Sequence, residues 1–149
     1  MANLTNMFDP EKLIIEKLET IFHSDMVLNE IELNSLDNDF FTGKSSDVEK
    51  VGAAVLHSGF RADPMVGNSR SPQQRLKTLW QVVVLCPTDL YREEGGLKMI
   101  EVIQLLKGWR VSPEIGIMQL IDDERGFNRP DFANDLAYLP MMFSVDAMV

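Results

Sequence analysis

The sequence predicts an α+β fold: a two-layer sandwich with a mostly antiparallel sheet of about four to five strands and two main helices on one face. Two observations predict it. Two segments carry apolar residues at steps of three and four, the period of a helix that packs along one side. Other segments alternate apolar and polar residues, or form short apolar runs bounded by turn residues, as strands do. The predicted order is helix, strand, strand, strand, helix, strand, strand.

The first helix is predicted at about residues 10 to 23. Asp9-Pro10-Glu11 suits a helix start, with an N-cap, a proline at the first helical position and an acid in the first turn. Its apolar stripe comprises Leu13, Ile14, Leu18, Ile21 and Phe22. Residues 1–8 are expected to form a flexible N-terminal tail, and 1–149 to form a single domain.

The second helix is predicted at residues 97–107. Gly95-Gly96 opens it as a tight connection from the preceding strand, and Gly108 ends it. Its apolar residues cover more than one stripe, so this helix needs burial on two sides. Its own sheet supplies one side, and we expect a neighbouring subunit to supply the other.

Five segments are predicted as strands. The strongest is Gln74–Cys86, whose last residues are apolar on both faces, as in a central strand. Val51–Phe60 is ambiguous, because a short helix is the alternative. The others are Met26–Leu33, the segment after Pro113 with Ile115, Ile117, Leu120 and Ile121, and Tyr138–Val145. Residues 34–47, 61–72 and 122–131 are predicted as loops.

The chain is acidic, with 14 basic and 23 acidic residues and a formal net charge of −9. The imbalance lies mainly in residues 1–50, which hold eleven acidic and four basic residues. This indicates a solvated acidic face, or a surface that repels polyanions or docks a basic partner. It argues against a broad nucleic-acid-binding face. Neither a transmembrane run nor a secretory signal is recognisable, so no membrane partner is expected.

No residue pattern indicates a catalytic, cofactor-binding or metal site, and the chain is predicted not to be an enzyme. Cys86, the only cysteine, closes an apolar strand and is interpreted as a buried, inert thiol. His23 and His57 are scattered and do not form a zinc-site pattern. The acidic clusters Asp37-Asn38-Asp39 and Asp122-Asp123-Glu124 lack the spacing of a calcium loop.

The sequence holds more apolar residues than one subunit is expected to bury, and this indicates a subunit of a larger assembly instead. Phe40-Phe41 lies in a predicted loop and needs burial in this subunit or in a neighbour. Trp109 and Arg110, just after the second helix, are residue types enriched in interface anchors, although Trp109 suits a core position equally well. The predicted subunit interface comprises Leu97, Lys98, Glu101, Trp109, Arg110, Phe40 and Phe41.

Three segments resemble the tail terminator proteins of long-tailed bacteriophages, over roughly residues 10–149. The first is the N-terminal helix, residues 11–22. The second is the strand Trp80-Gln-Val-Val-Val-Leu, followed by Gly95-Gly96-Leu-Lys-Met-Ile-Glu-Val-Ile and Leu105-Leu-Lys-Gly-Trp-Arg110. The third is the end, Asp131-Phe-Ala-Asn-Asp-Leu-Ala-Tyr-Leu-Pro-Met-Met-Phe-Ser-Val.

The resemblance implies a structural virion protein. Such proteins form rings, usually homohexamers, that cap the tail tube, stop its polymerisation and provide the surface that joins the head. The implied partners are other copies of the chain, the major tail tube protein and neck or connector proteins, with DNA passing through the lumen without specific binding. The implied location is the tail–neck junction of the virion, after assembly in the host cytoplasm.

Two alternatives stay open at this point. One is a neck or tail-completion protein at the same junction. The other is a small-molecule-binding or enzymatic α+β domain with Cys86 or an acidic cluster at its site.

The acidic residues 1–50 fit a ring lumen, because an acidic lining repels DNA.

Overall fold

Most helices of the chain precede its C-terminal third, which consists of consecutive strands. A computed structural model describes residues 4–36, 40–41, 50–64, 74–113, 115–122 and 128–149. Within them, short 3-10 turns occur at Ser24–Met26 and Thr88–Leu90 and a π-turn at Tyr91–Gly95. The other elements are α1 (Asp9–Leu18), β1 (Val27–Leu28), α2 (Glu30–Asn34), β2 (Gly52–Ala62), β3 (Arg75–Pro87), α3 (Gly96–Leu106), β4 (Arg110–Ser112), β5 (Ile115–Ile117), β6 (Gln119–Ile121), β7 (Asp131–Ala133) and β8 (Leu136–Met148).

Six strands form one mixed sheet that curls into half a barrel. Its order is β1-β2-β3-β8-β6, and β7 also pairs with β8. β1 runs parallel to β2, whereas the other neighbouring strands are antiparallel. The centre is the pair β3–β8, whose register is continuous from Arg75 opposite Met148 to Pro87 opposite Leu136. β4 and β5 form a separate antiparallel hairpin.

The predicted fold class is wrong. Strands account for 43% of the structure and helices for 31%, so the chain is mostly β. Its sheet is a curled half-barrel that includes one parallel pair, instead of a two-layer sandwich with four to five strands. Part of the difference comes from β4, β6 and β7, which are three residues long each. Such strands are too short to leave a periodic pattern, and pairing with a neighbour defines them.

The strand predicted at Met26–Leu33 is confirmed only over the two residues of β1, after which α2 begins. Asn29 starts that helix with a capping box. Its side-chain oxygen accepts a hydrogen bond from the Glu32 backbone N–H at 2.8 Å, and the Glu32 carboxylate accepts one from the Asn29 N–H at 3.1 Å. These local hydrogen bonds outweigh the alternating pattern of Ile31 and Leu33.

Helices cover both faces of the sheet, rather than one face as predicted. α1 and α3 pack on the first face, over the even-numbered residues of β3 from Trp80 to Cys86. On the second face, Val83 and Leu85 form a separate buried cluster with Phe41. Leu33 of α2 packs against this cluster. Since successive side chains of a strand point to opposite faces, a strand that is apolar throughout needs a cover on each side.

Two irregularities shape the long strands. β2 has a bulge between His57 and Phe60, where Gly59 takes a φ of +105° and one extra residue is accommodated. The bulge therefore places Phe60 on the same face as His57. In β8, β7 pairs with residues 136–138 and β6 pairs with residues 142–144, and Pro140 lies between these two stretches. Because proline has no N–H, its position outside both stretches leaves their hydrogen bonds intact.

The first helix is shorter than predicted, and the described part of the predicted tail makes hydrogen bonds to the rest of the chain. α1 ends at Leu18 instead of near residue 23. The expected flexible tail makes defined hydrogen bonds over its described part, residues 4–8. The Leu4 N–H donates to the carbonyl of the last residue of β8 at 2.8 Å, and the Thr5 hydroxyl donates to the Asp9 carboxylate at 2.9 Å. This part of the chain is therefore held beside the sheet.

The strand predicted at Gln74–Cys86 and the helix predicted at 97–107 are confirmed, as β3 and α3. The ambiguous segment Val51–Phe60 is a strand from Gly52 onward, as part of β2. Gly108 follows α3 with a φ of +81°, a conformation that suits a glycine at the end of a helix. None of the helices in the described ranges combines the length and the apolar character needed to cross a membrane.

The C-terminal third holds more strands than predicted. The segment after Pro113 forms β5 and β6, and the final strand extends over Leu136–Met148 instead of Tyr138–Val145. Most of the loops predicted at 34–47, 61–72 and 122–131 lie outside the described residues.

Gly95 allows the π-turn before α3 to lie directly on the sheet. A Cβ at this position would lie 2.8 Å from Leu139 Cδ1 and 3.1 Å from Cys86 Sγ. A larger residue would therefore force the Leu139 and Cys86 side chains, or the turn itself, to shift.

Thr78 is a buried polar residue on the first face of the sheet. Its hydroxyl donates a hydrogen bond to the Val145 carbonyl at 2.8 Å and accepts one from the Trp80 indole N–H at 3.0 Å. The buried indole thereby has a partner, and β3 and β8 gain a link through a side chain.

Thr78→Val keeps the shape of this side chain and removes both hydrogen bonds. We expect it to lower the free energy of unfolding by about 1–3 kcal/mol, because the indole N–H is left buried without a partner. Thr78→Ser keeps the hydroxyl and loses one methyl group, which we expect to cost about 1 kcal/mol or less. Urea denaturation followed by tryptophan fluorescence measures both. Equal losses for the two variants would contradict a role for the hydrogen bonds.

Candidate subunit interface

The predicted interface residues fall into three separate places. Leu97, Lys98 and Glu101 lie on α3, whereas Trp109 and Arg110 lie at the start of the β4–β5 hairpin. The pair Phe40-Phe41 belongs to the second face of the sheet. The structure therefore does not bring all seven residues together on one surface.

The outward side of α3 carries exposed apolar side chains. Leu97 is 68% exposed and Ile100 is 54% exposed, although both are large aliphatic residues. They lie three residues apart and so are neighbours on the helix surface, with the exposed Glu101 beside them. Val102 points the other way and is fully buried. The sequence prediction missed Ile100, for which the three-residue spacing from Leu97 was the available signal.

Lys98 turns towards its own subunit. Its ammonium group donates a hydrogen bond to the Ile21 carbonyl at 2.7 Å, pairs with the Glu101 carboxylate at 3.1 Å and lies 5.0 Å from the centre of the Phe22 ring. Only 12% of its side chain is exposed. Lys98 therefore links α3 to the segment that follows α1.

Trp109 and Arg110 have different surroundings although they are adjacent. The Trp109 ring packs partly buried against the first-face core, and the Lys17 ammonium group lies 5.4 Å from its centre. Arg110 is exposed and lies directly opposite the exposed Ile117 in the β4–β5 hairpin. Of the two, Arg110 is therefore the side chain that a neighbouring molecule would meet.

Phe40 and Phe41 contact each other edge to face, with ring centres 4.9 Å apart. Phe41 is buried in the second-face cluster, and Phe40 packs partly buried against that cluster. Phe41 is thus buried within its own subunit and does not need a neighbour to cover it.

A groove that the sequence did not reveal lies beside the N-terminal ends of α1 and α2. Its cavity of about 310 Å³, which we call the Phe8 groove, is lined by Phe8, Glu11, Asn29, Glu30 and Ile31. Phe8 is 52% exposed and Ile31 is 77% exposed. The sequence prediction missed both, because it placed Phe8 in a flexible tail and Ile31 on the buried side of a strand.

His57 supports the groove from the sheet. Its ring centre lies 5.4 Å from that of Phe8 and 4.8 Å from that of Trp80. Burial lowers the pKa of His57, and the Glu30 carboxylate opposes this shift. Burial and the negative charge of Glu30 both raise the pKa of Glu11. The groove therefore holds a carboxylate, Glu30, that acts on the pKa of both Glu11 and His57.

Cys86 is buried, as predicted. Burial raises the pKa of its thiol to about 11, and the nearby carboxylates of Glu94 and Asp89 act in the same direction. The thiol is thus protonated at neutral pH, which disfavours Cys86 as the nucleophile of the enzymatic alternative. Within the described ranges, no group of three or more His, Cys, Asp or Glu side chains is placed to hold a metal ion. Asp37–Asp39 and Asp123-Glu124 lie outside those ranges.

Lys98→Met tests whether Lys98 stabilises the subunit. We expect it to lower the free energy of unfolding by about 1.5–3 kcal/mol, because the charged hydrogen bond to the Ile21 carbonyl is lost. The matched control Lys107→Met removes an exposed lysine near the end of the same helix and is expected to change stability by less than about 0.5 kcal/mol. Chemical denaturation measures both. Equal stabilities, combined with weaker self-association of Lys98→Met, would place Lys98 at a subunit interface instead.

Glu30→Gln tests the electrostatics of the groove. We expect it to lower the pKa of both His57 and Glu11, because the same negative charge stabilises protonated His57 and opposes ionisation of Glu11. NMR titration of the two side chains measures the shifts, with Glu19→Gln as the control. Unchanged pKa values in Glu30→Gln would contradict the proximity of the three groups.

The same pKa directions predict how stability depends on pH. The pKa of folded His57 lies below its ordinary value of 6.5, so the unfolded chain binds the proton more readily. His57 therefore destabilises the fold as the pH falls below about 6.5, and Glu30→Gln should strengthen this loss. Glu11, whose pKa is raised, acts in the opposite sense: its contribution to stability is lost as the pH rises above 4.5.

No family model matches the sequence, and no curated protein matches it either. The exposed face of α3, the Phe8 groove and the surface around Arg110 are therefore the features of the chain itself from which a function can be inferred.

Proposed function

We propose that this chain is a structural subunit that assembles into a ring and acts as a tail terminator, capping a tail tube and presenting a surface to the neck. The observation that carries the assembly role is the exposure of Leu97 and Ile100 side by side on α3. Exposed apolar residues that adjoin on one rigid helix face mark a contact surface more strongly than residues scattered singly.

The energetics favour a contact wider than these two residues. Fully burying a leucine or isoleucine side chain contributes about 1.5–3 kcal/mol, and association first has to offset the lost freedom of motion of the partners. A specific interface covers about 800 Å² on each partner. The surfaces beside α3 therefore need to take part, as they do in a ring where each subunit uses two different patches.

The tail terminator assignment draws on the resemblance and on charge. The segments that carry the resemblance form α1, the succession of β3 and α3, and β8, and together these make most of the first-face core. The acidic excess of residues 1–50 suits a ring through which DNA passes, because like charge keeps the polyanion from binding. The proposed partners are the tube protein and neck proteins, and the proposed location is the virion.

Leu97→Asp combined with Ile100→Asp tests the assembly role. We expect the wild-type chain to sediment as a defined oligomer and the double variant to remain a monomer with an unchanged far-UV circular dichroism spectrum, because a charged pair replaces the apolar contact. The control Phe60→Asp changes an aromatic residue that is 52% exposed on the end of β2, and it should leave assembly unchanged. A wild-type chain that is monomeric over its whole soluble concentration range would contradict the proposal.

The terminator role has a separate readout. Wild-type protein added to polymerising tail tube protein should arrest the tubes with a ring visible at one end by electron microscopy, whereas the double variant should not. Rings that form but leave tube growth unchanged would retain the assembly role and exclude the terminator role.

A further inference from the structure

Helix α1 separates two surfaces of opposite character. An α-helix turns by about 100° per residue. Pro10, Ile14 and Leu18 form its buried stripe. On this geometry Glu11 and Ile15 lie on one flank of the stripe, and Leu13 and Lys17 lie on the other.

The first flank is acidic and apolar. It borders the Phe8 groove, whose lining includes Glu11 and Glu30, and a wider cleft that adds Glu16 and Glu19 beside Ile15. The exposed side chains of Phe8 and Ile31 on this flank are thus surrounded by carboxylates. Among the described residues that line the groove and the cleft, Lys12 is the basic one. A partner that fits such a surface presents an apolar side chain flanked by positive charge.

The second flank adjoins a surface of that kind in the same chain. Leu13 lines a cavity with Ser112 and Ile115 of the β4–β5 hairpin, and Lys17 lies over Trp109. Beyond them, Lys107, Arg110 and Ile117 are exposed, and Arg110 lies directly opposite Ile117 in register. We use the name hairpin patch for the cross-strand pair Arg110 and Ile117 together with Lys107, which precedes Arg110 by three residues in the chain. It combines two positive charges with an aliphatic side chain that is 42% exposed.

We propose that the hairpin patch of one copy docks into the Phe8 groove of a second copy, with Ile117 meeting Phe8 and Ile31 while Lys107 and Arg110 face Glu11 and Glu30. The occupant of the groove is thus this chain itself. This inference rests on the proposed function, which supplies self-association, and it adds a second contact between subunits to the one made by Leu97 and Ile100 of α3.

The placement of the two surfaces favours a head-to-tail contact. Because they lie on opposite flanks of α1, one copy offers its hairpin patch on one side and its groove on the other. Contacts of this kind repeat from copy to copy, and they close into a ring when the rotation from one copy to the next divides a full turn. Burial and, to a smaller extent, the Glu30 carboxylate raise the pKa of Glu11, and a cation of the neighbour placed between the two carboxylates would offset their repulsion.

Charge reversal on each side tests the contact. We expect Arg110→Glu and Glu30→Arg each to weaken self-association at least about tenfold, because each variant places like charges opposite one another. An equimolar mixture of the two variants should restore assembly. In a ring where the two variants alternate, the altered hairpin patch of Arg110→Glu meets the altered Phe8 groove of Glu30→Arg, so opposite charges again face each other. The other contact of each copy joins an unaltered patch to an unaltered groove. Sedimentation velocity measures all three samples, and Arg129→Glu, at an exposed arginine away from both surfaces in sequence, is the control.

Each outcome decides the contact. Weakening by both variants with restoration in the mixture supports it. Assembly of Arg110→Glu at wild-type strength overturns it, and so does a mixture that stays dissociated. Loss of assembly in Glu30→Arg alone shows that the groove takes a different segment, which also overturns it. In these cases the wild-type oligomer persists and the proposed function stands, whereas a monomeric wild-type chain removes both.

Discussion

The fold depends on one constraint, the burial of both faces of the central strand pair β3–β8. The two strands pair over their whole length, and their side chains are apolar on both sides over much of it. Neither face is free to meet water without a loss of hydrophobic stabilisation, so the rest of the chain is arranged as two covers. α1 and α3 form the first cover, and α2 with the Phe40-Phe41 segment contributes to the second. Gly95 and Thr78 serve this arrangement by allowing close approach and by satisfying a buried indole.

The sequence predicts correctly those elements whose local apolar pattern matches the burial that the folded chain gives them. β3 and α3 are such cases, since their apolar periods and end signals match the structure. α2 could not be found from periodicity, because its alternating residues resemble a strand while the capping box of Asn29 and Glu32 decides for a helix. That box is itself a sequence signal, and it identifies the start of the helix once alternation is given less weight.

The candidate interface was predictable to a similar degree. Leu97 and Arg110 are exposed, which composition and spacing had indicated. Lys98 lies inward because a carbonyl and a ring from the segment after α1 receive its charge, and no local pattern encodes contacts between residues 77 positions apart. The Phe8 groove escaped prediction for the same reason, since α1, α2 and the sheet must first be in place before Phe8 and Ile31 become neighbours.

Pro140 has a consequence for the open stretch of β8. It lies where neither β6 nor β7 pairs with β8, and a proline offers no N–H to an incoming strand. A sheet edge with a missing donor is a poor template for adding a strand from another molecule. Pro140 thereby protects the open stretch of β8 between β6 and β7 against strand addition from another molecule, and a contact at this place would have to be made by side chains.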